Sequence, residues 1–400
     1  MKNKRFLRGL CALISLMLLL SSLSLSFCGC DIMDSFLSED DDDFLNNDFD
    51  EKPSKKPNKS DKEDEEVVTK DKDKDTEVIV SGDLEIHFLE LGNKYTGDCV
   101  YIRKGNVDLL IDAGSRTSSV STISEYLDAH MADDVIEYAI VTHAHQDHYA
   151  GFATNEKTDS LFDLYEFEII IDFAQIEKGK ETGAMYNHYL REREAEIAAG
   201  AIHYTAAECI TEDKNVFLLG DGIELEILDS YYYYNRSSEE NNHSVVCMIN
   251  QGSRHFLFTG DLEAEGEEKL LEMNDLPEVT LYKAGHHGSK TSSSKELLSV
   301  IKPEIVCVCC CAGSSEYTNT SSSMFPTQAF IDRIAPYTDK VYVTTLCVNY
   351  KNNLFESMNG NIVVSSTPEK VLVNGRANNI KLKDTDWFKE SRDCPAAWKD

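Results

Sequence analysis

From about residue 83 onwards the chain alternates short apolar runs with turn residues. Residues 84–91 alternate apolar and polar positions, which predicts a strand with one buried face. Residues 99–103 and 107–112 repeat that texture on either side of Lys104-Gly105-Asn106, so the three segments read as the start of a β-meander. The period then changes. In residues 120–130, Val120, Ile123, Tyr126 and Leu127 fall on one face of a helix. Residues 135–141, VIEYAIV, predict a strand, and residues 161–173 are mostly strand-like. Residues 185–199, rich in Glu, Arg and Ala, predict a helix that stops at Gly200. Strands are expected at 215–220, 223–229, 244–250 and 255–260, and a helix at 262–273. Further strands follow at 279–284, 304–310, 340–346 and 360–365, with helices at 295–301 and 328–334. The elements form two halves, each β-rich and then βα in character. The arrangement that buries them is an α/β fold of two mixed sheets packed face to face with helices outside.

The first eighty residues follow other rules. Lys2, Lys4, Arg5 and Arg8 precede an apolar run at 10–20, then small polar residues and Phe27-Cys28-Gly29-Cys30. Charge, length and order are those of a signal peptide over 1–30, with Cys30 placed as the acceptor of a lipoprotein-type lipid anchor. Export to the outer face of a membrane is the expectation. Residues 31–82 carry many charges and few apolar residues. Nineteen acidic and eight basic side chains lie in 31–80, the composition of a disordered tether. The folded part is therefore 83–366, followed by a C-terminal extension over 367–400.

The formal charge of the chain is −32, and most of it belongs to the folded part. Such a field repels a polyanion such as DNA unless metal ions or a local basic patch offset it. Among the twelve cysteines, four sit in the run IVCVCCCAG, where Cys307, Cys309 and Cys311 face one side of a strand and Cys310 the other. These read as small buried hydrophobes, because the spaced CxxC pairs of structural zinc are missing.

The chemistry concentrates in Thr142-His143-Ala144-His145-Gln146-Asp147-His148, which follows the strand 135–141 directly. On an extended chain, His143 and His145 point the same way, and Asp147 and His148 return to that space at the start of the next turn. Four donors of intermediate softness in six residues suit zinc, manganese or iron, and two metals sharing the segment is the easier geometry. Other donors follow or precede strands: Asp112 after LLI, Asp261 after HFLFTG, His286 and His287 after TLYKAG, and His243 before SVVCMI. Loops at one edge of the two sheets would bring them together. The run Tyr231 to Tyr234 is a candidate aromatic wall for bases or a choline group; its plainer reading is a solvated loop or an edge strand.

HxHxDH with an upstream IDAG and a downstream TGD and HHGS resembles the metallo-β-lactamase superfamily. The order Gly97-Asp98, IDAG, THAHQDH, NNHSVV, FTGDLE and GHHGSKTSS is similar to the hydrolase domain of the competence protein ComEC. The resemblance covers roughly residues 84–366. It implies an αββα four-layer sandwich with two divalent metal ions, zinc first and manganese or iron as alternatives. By position it implies His143, His145 and a third donor at the first metal. That donor is either His243 or a neighbouring asparagine, with His243 preferred because imidazole is the better ligand. Asp147, His148 and His287 would hold the second metal, and Asp261 would bridge the two. His286 becomes a catalytic contact to substrate beside the hydroxyls of Ser289, Thr291 and Ser292. Asp112 orients a ligand histidine.

The implied activity is hydrolysis of a phosphodiester by a metal-bridging hydroxide, with Asp147 and His286 as catalytic residues and DNA or a cell-surface polymer as substrate. A phosphocholine or teichoic-acid esterase is the alternative substrate reading. A lactam, lactone or thioester hydrolase would use the same fold, and a binding module without activity is the remaining class. One departure stands out: a histidine often precedes proline in a loop of such domains, whereas this chain has Phe325-Pro326.

Overall fold

The computed structural model describes residues 83–153, 158–373 and 380–399. The signal peptide with Cys30 and the tether over 31–82 lie outside them. Sixteen strands form two eight-stranded sheets. In chain order the first sheet takes β1 (Leu84–Phe88), β2 (Val100–Lys104), β3 (Val107–Ile111), β4 (Val135–Val141), β5 (Glu166–Asp172) and β6 (Ile202–Thr205). The second takes β7 (Val216–Gly220), β8 (Ile223–Ile227), β9 (Cys247–Gln251), β10 (Arg254–Phe258), β11 (Leu281–Lys283), β12 (Ile305–Ala312), β13 (Val341–Asn349) and β14 (Leu354–Ser357). The chain then returns to the first sheet with β15 (Ile362–Ser366) and β16 (Val371–Val373). The spatial orders are β16-β15-β1-β2-β3-β4-β5-β6 and β14-β13-β12-β11-β10-β9-β8-β7.

The sheets are parallel where helices intervene, β3 to β6 in the first and β10 to β13 in the second, and antiparallel elsewhere. Parallel strands covered on both faces need apolar residues at every position, and β12 is buried along all eight residues. Its cysteines divide by face: Cys307 and Cys309 join the core between the sheets, while Cys310 joins the layer beneath the outer helices. That outer layer is built by Leu270, Leu297, Leu298, Ile301, Phe330 and Ile334 from the helices Ala264–Met273, Lys295–Ile301 and Gln328–Ile334. Helix, sheet, sheet, helix is thus the αββα sandwich expected from the sequence. Phe256 sits fully buried between the sheets. Phe256→Ala is expected to cost about 3–5 kcal/mol, the usual price of an aromatic-sized cavity, read as a lowered midpoint in urea unfolding.

Two expectations need correction. Residues 161–173 are not one strand: Ser160 caps a helical turn, Leu161–Leu164, through a reciprocal bond with Asp163, and only then does β5 begin. The tyrosine run is a short 3-10 turn, Tyr231–Tyr233, and no edge strand; Tyr231 and Tyr234 are exposed. Tyr232 and Tyr233 are buried. Tyr232 donates to Glu265 at 2.7 Å, and the Tyr233 hydroxyl accepts the Val246 N–H at 2.9 Å. Those two rings serve the core and form no wall.

The extension over 367–400 is also structured where described. β16 lies within it, and the helix Asp386–Ser391 packs through Phe388 against Trp398 and the second sheet's outer layer. Among the described residues no helix is long and apolar enough to cross a membrane.

Candidate metal centre

The carboxyl ends of β3, β4, β10, β11 and β12 share one edge, so the loops that leave them meet there. β4 ends at Val141, the chain bends at Ala144, and His145 is again extended (φ −93°, ψ 141°) before the helical turn Gln146–Tyr149. Extended backbone followed by a turn gives the motif its shape. His143 Nε2 lies 3.0 Å from His145 Nδ1, and the His148 ring comes back to 4.2 Å from that of His143. Asp112, in a left-handed conformation (φ 60°) just past β3, accepts the Thr142 N–H and hydroxyl at 2.8 Å each and the His148 Nδ1–H at 2.7 Å. With its proton held on Nδ1, His148 turns Nε2 inwards.

The second sheet supplies the opposing donors. Gly260 is left-handed (φ +54°), and a Cβ there would stand 2.8 Å from Ser244 Oγ and 3.0 Å from Thr142 Cβ. Glycine therefore lets β10 end close against β4. Asp261 follows, with Oδ2 3.1 Å from both His148 Nε2 and His287 Nε2. His286 and His287 are both left-handed (φ 46° and 54°), an uncommon pair for side-chain-bearing residues. That turn sends the two rings to different places. His287 donates Nδ1–H to the Cys309 carbonyl at 2.9 Å, leaving Nε2 3.4 Å from Asp147 Oδ2.

Asp147 Oδ2, His148 Nε2, Asp261 Oδ2 and His287 Nε2 thus come from both sheets: both imidazole nitrogens lie 3.1 Å from Asp261 Oδ2, and His287 Nε2 lies 3.4 Å from Asp147 Oδ2. A tetrahedron with metal–ligand bonds of about 2.0–2.1 Å has an edge of about 3.3 Å. His287 Nε2 is moreover buried, as a ligand nitrogen would be. The electrostatics agree. Burial opposes a charged imidazole, yet Asp261 and Asp112 outweigh it and hold His148 well above the ordinary imidazole range; Asp261 and Asp98 do the same for His287. The carboxylates therefore call for positive charge at this spot. Burial and the neighbouring imidazole of His148 keep His143 well below its ordinary value, and burial brings His145 down to about 4, so both stay neutral with lone pairs available.

Asp98 also brings a carboxylate oxygen within 4.8 Å of donor atoms of His148, Asp261 and His287, but on the far side of the rings. Its Oδ1 is 3.2 Å from His287 Nδ1, and its Oδ2 pairs with the ammonium of Lys283. Lys283, buried at the end of β11, also donates to the Gly260 carbonyl at 3.1 Å and lies 3.4 Å from Asp261 Oδ1. Burial alone would discharge both partners. Instead each holds the other charged, with Asp98 below the usual carboxylate range and Lys283 above the usual amine value. Neither was among the candidate residues, although Asp98 stands in the Gly97-Asp98 pair and Lys283 is a lone charge in an apolar strand.

The preferred third donor, His243, is not brought to this cluster. The 3-10 turn Glu240–His243 directs its Nε2 to the Ser237 N–H at 2.9 Å and its Nδ1 towards Glu240 at 3.5 Å. Of the neighbouring asparagines, Asn242 Oδ1 accepts the Glu263 N–H, whereas Asn241 Oδ1 is buried without a partner. Glu240 braces the motif itself, accepting the N–H of Ala144, between the two histidines, at 2.9 Å.

At the mouth, His286 Nδ1 lies 3.1 Å from Thr291 Oγ1 and 3.5 Å from Glu263, which also accepts from Thr291 and Asn241. Ser289 bonds Thr291 but is 5% exposed, and Ser292 is 1% exposed against Gly285. Ser292 therefore cannot reach a substrate as expected; Thr291 and His286 can. Arg333 fixes this loop by donating to the carbonyls of Ser289, Lys290, Ser292 and Ser293. Two further side chains close over the centre. Tyr317 donates to Asp147 Oδ2 at 2.7 Å, and Phe325 packs its ring 5.7 and 5.8 Å from His286 and His287.

The family model described as "Metallo-beta-lactamase superfamily" matches residues 92–154. Over 114 residues the chain is 32% identical to "Recombination protein 2" of Haemophilus influenzae, covering 28% of this chain and 13% of that protein. Over 106 residues it is 35% identical to "Competence protein ComA" of Neisseria gonorrhoeae, covering 26% and 14%. "ComE operon protein 3" of Bacillus subtilis is 34% identical over 61 residues, covering 15% and 8%. The chain thus spans about a seventh or less of the length of these relatives. Among solved structures, the metallo-beta-lactamase fold protein YhfI from Bacillus subtilis aligns over 65% of this chain and 96% of its own at 10% identity, TM-score 0.40. The motif segments gather at one edge of an αββα sandwich, and the stretch 92–154, which carries His143 to His148, is similar to the metallo-β-lactamase superfamily, as the chain is in part to these competence proteins.

Proposed function

We propose that the chain is an exported, metal-dependent phosphodiesterase tethered to a membrane through Cys30. The observation that carries this reading is the buried Nε2 of His287, facing Asp261 and Asp147 at 3.1 and 3.4 Å. Asp147, His148, Asp261 and His287 would hold one divalent ion. His143 and His145, sharing Asp261, would hold a second, with Asn241 Oδ1 the unpartnered oxygen its segment offers. Nitrogen and oxygen donors of this kind suit zinc, manganese or iron. When bound, such ions supply a water activated near neutral pH and polarise a phosphoryl oxygen.

The protein's own groups do the rest. Asp112 and the Cys309 carbonyl hold protons on Nδ1 of His148 and His287, keeping each Nε2 aimed inwards. His286 and Thr291, polar and accessible beside the donors, are suited to grip the non-bridging oxygens of a phosphodiester.

A recombination protein and competence proteins as relatives favour a nucleic-acid phosphodiester. The formal charge of −32 favours a second reading, an ester of phosphocholine or teichoic acid. Hydrolysis of bis(p-nitrophenyl) phosphate by the full chain, with single- and double-stranded DNA as competitors, separates them. Inhibition by DNA supports the nuclease and indifference supports the esterase; no turnover with zinc, manganese or iron defeats both.

The two positions are unequal: one has four converging donors, the other two imidazoles and no third histidine. After dialysis about one metal per chain is expected to remain, with a second binding only from excess metal. Elemental analysis before and after dialysis checks this. Two ions retained equally would contradict it.

A further inference from the structure

The segment 380–399 has no donor in the metal centre, yet it grips the loop that covers it. The loop runs from Gly313 to Thr327 and carries Tyr317, on Asp147, and Phe325, against His286 and His287. Its neck is closed by the Gly313 N–H, which donates to the Phe325 carbonyl at 2.8 Å. The carbonyls on either side of Phe325 are taken by one side chain. Arg392 donates Nη2–H to Met324 at 2.7 Å and Nε–H to Pro326 at 3.0 Å, while its Nη1–H holds the Ser391 carbonyl at 2.7 Å. This guanidinium is buried, 8% exposed, so each of its bonds is made without competition from water.

Trp387 secures the other end. Its ring lies 4.5 Å from the Arg392 guanidinium and so close to Gly313 that a Cβ there would fall 2.5 Å from Nε1. Gly313 is left-handed as well (φ +76°), so glycine is required twice over. The amide of Gln328 and the backbone of Asp393 bond reciprocally at 2.9 Å. Leu382, Phe388 and Trp398 anchor the segment in the outer core, and Trp398 Nε1–H donates to the Thr338 carbonyl at 2.9 Å.

We infer that residues 380–399 form a clamp whose Arg392 and Trp387 are positioning residues: they set the loop 313–327 so that Tyr317 orients the Asp147 carboxylate. The inference rests on the reading of Asp147 as a metal ligand. A partner that orients a ligand carboxylate typically contributes 10–100-fold in metal affinity.

The test compares R392M, Y317F and the double variant with the full parent chain, measuring zinc affinity by chelator competition and amide exchange over residues 313–327. Thermal melting verifies that each variant folds, and R392K, which keeps charge but loses the fork, stands in if R392M does not. R392M and Y317F should each weaken zinc binding by about tenfold, and the double variant no more than either alone, because both act through one contact. Exchange over 313–327 should quicken in R392M but not elsewhere in the second sheet. Unchanged affinity in R392M, or effects that multiply in the double variant, would overturn the clamp. If the parent itself takes up no zinc, the ligand reading fails, and exchange alone then decides: an unchanged rate over 313–327 overturns the clamp as well.

Discussion

Replacing His287 by alanine is expected to release the tightly held metal and to lower phosphodiester turnover by more than about 100-fold. The lower bound follows from scale. Removing a group that merely orients a ligand typically costs 10–100-fold, and His287 Nε2 faces two carboxylates directly. Asp147→Asn should do the same, because the amide keeps the shape and loses the charge that faces His287 and accepts from Tyr317. His145→Ala, on the two-imidazole side, should abolish turnover while leaving the tightly held metal at His148 and His287 bound, which separates the two positions. Metal content and rate are measured on the same preparations. Full turnover with metal still present in the His287→Ala or Asp147→Asn variant would remove the assignment.

The second large effect is on stability. Lys283→Met should cost about 3–5 kcal/mol, because it removes the ammonium paired with the buried Asp98 carboxylate and leaves only imidazoles facing it. The double variant Asp98→Asn with Lys283→Met should recover most of that loss, since replacing both members of a buried pair is often nearly neutral. Urea midpoints measured in chelator keep metal loss out of the comparison. A double variant as unstable as Lys283→Met alone would show that the lysine matters for its packing rather than for the pair.

How much of this was legible beforehand depended on the range of the contact. His143, His145 and His148 converge because extended backbone passes into a turn, and both halves show in the local pattern. Asp112, Asp261 and His287 were singled out because each lies just past a predicted strand. The helix Val120–His130 was bounded correctly by its apolar spacing. His243 was misread because a preference for imidazole says nothing about where a 3-10 turn points it. Asp98 and Lys283 escaped because their pairing joins opposite sheets, 185 positions apart in the chain, and no local period reports such a contact. Tyr317 and Phe325 sit on a loop whose shape is fixed by Arg392 and Trp387, so their place could not be read from their own neighbours. The Phe325-Pro326 departure was visible as a difference, and the fold gives it meaning: an apolar ring stands against the two adjacent histidines.

The cysteine strand has a practical consequence. Seven of the nine described cysteines are buried, four of them consecutive or nearly so in β12. Burial raises the Cys310 thiol to about 12 and Cys209 likewise, so at neutral pH almost none is present as the reactive thiolate. An alkylating reagent can reach the four β12 thiols only when that strand opens. The rate of their modification is therefore a clock for that opening, built into the protein without any added probe, and it can be read with metal supplied or withheld.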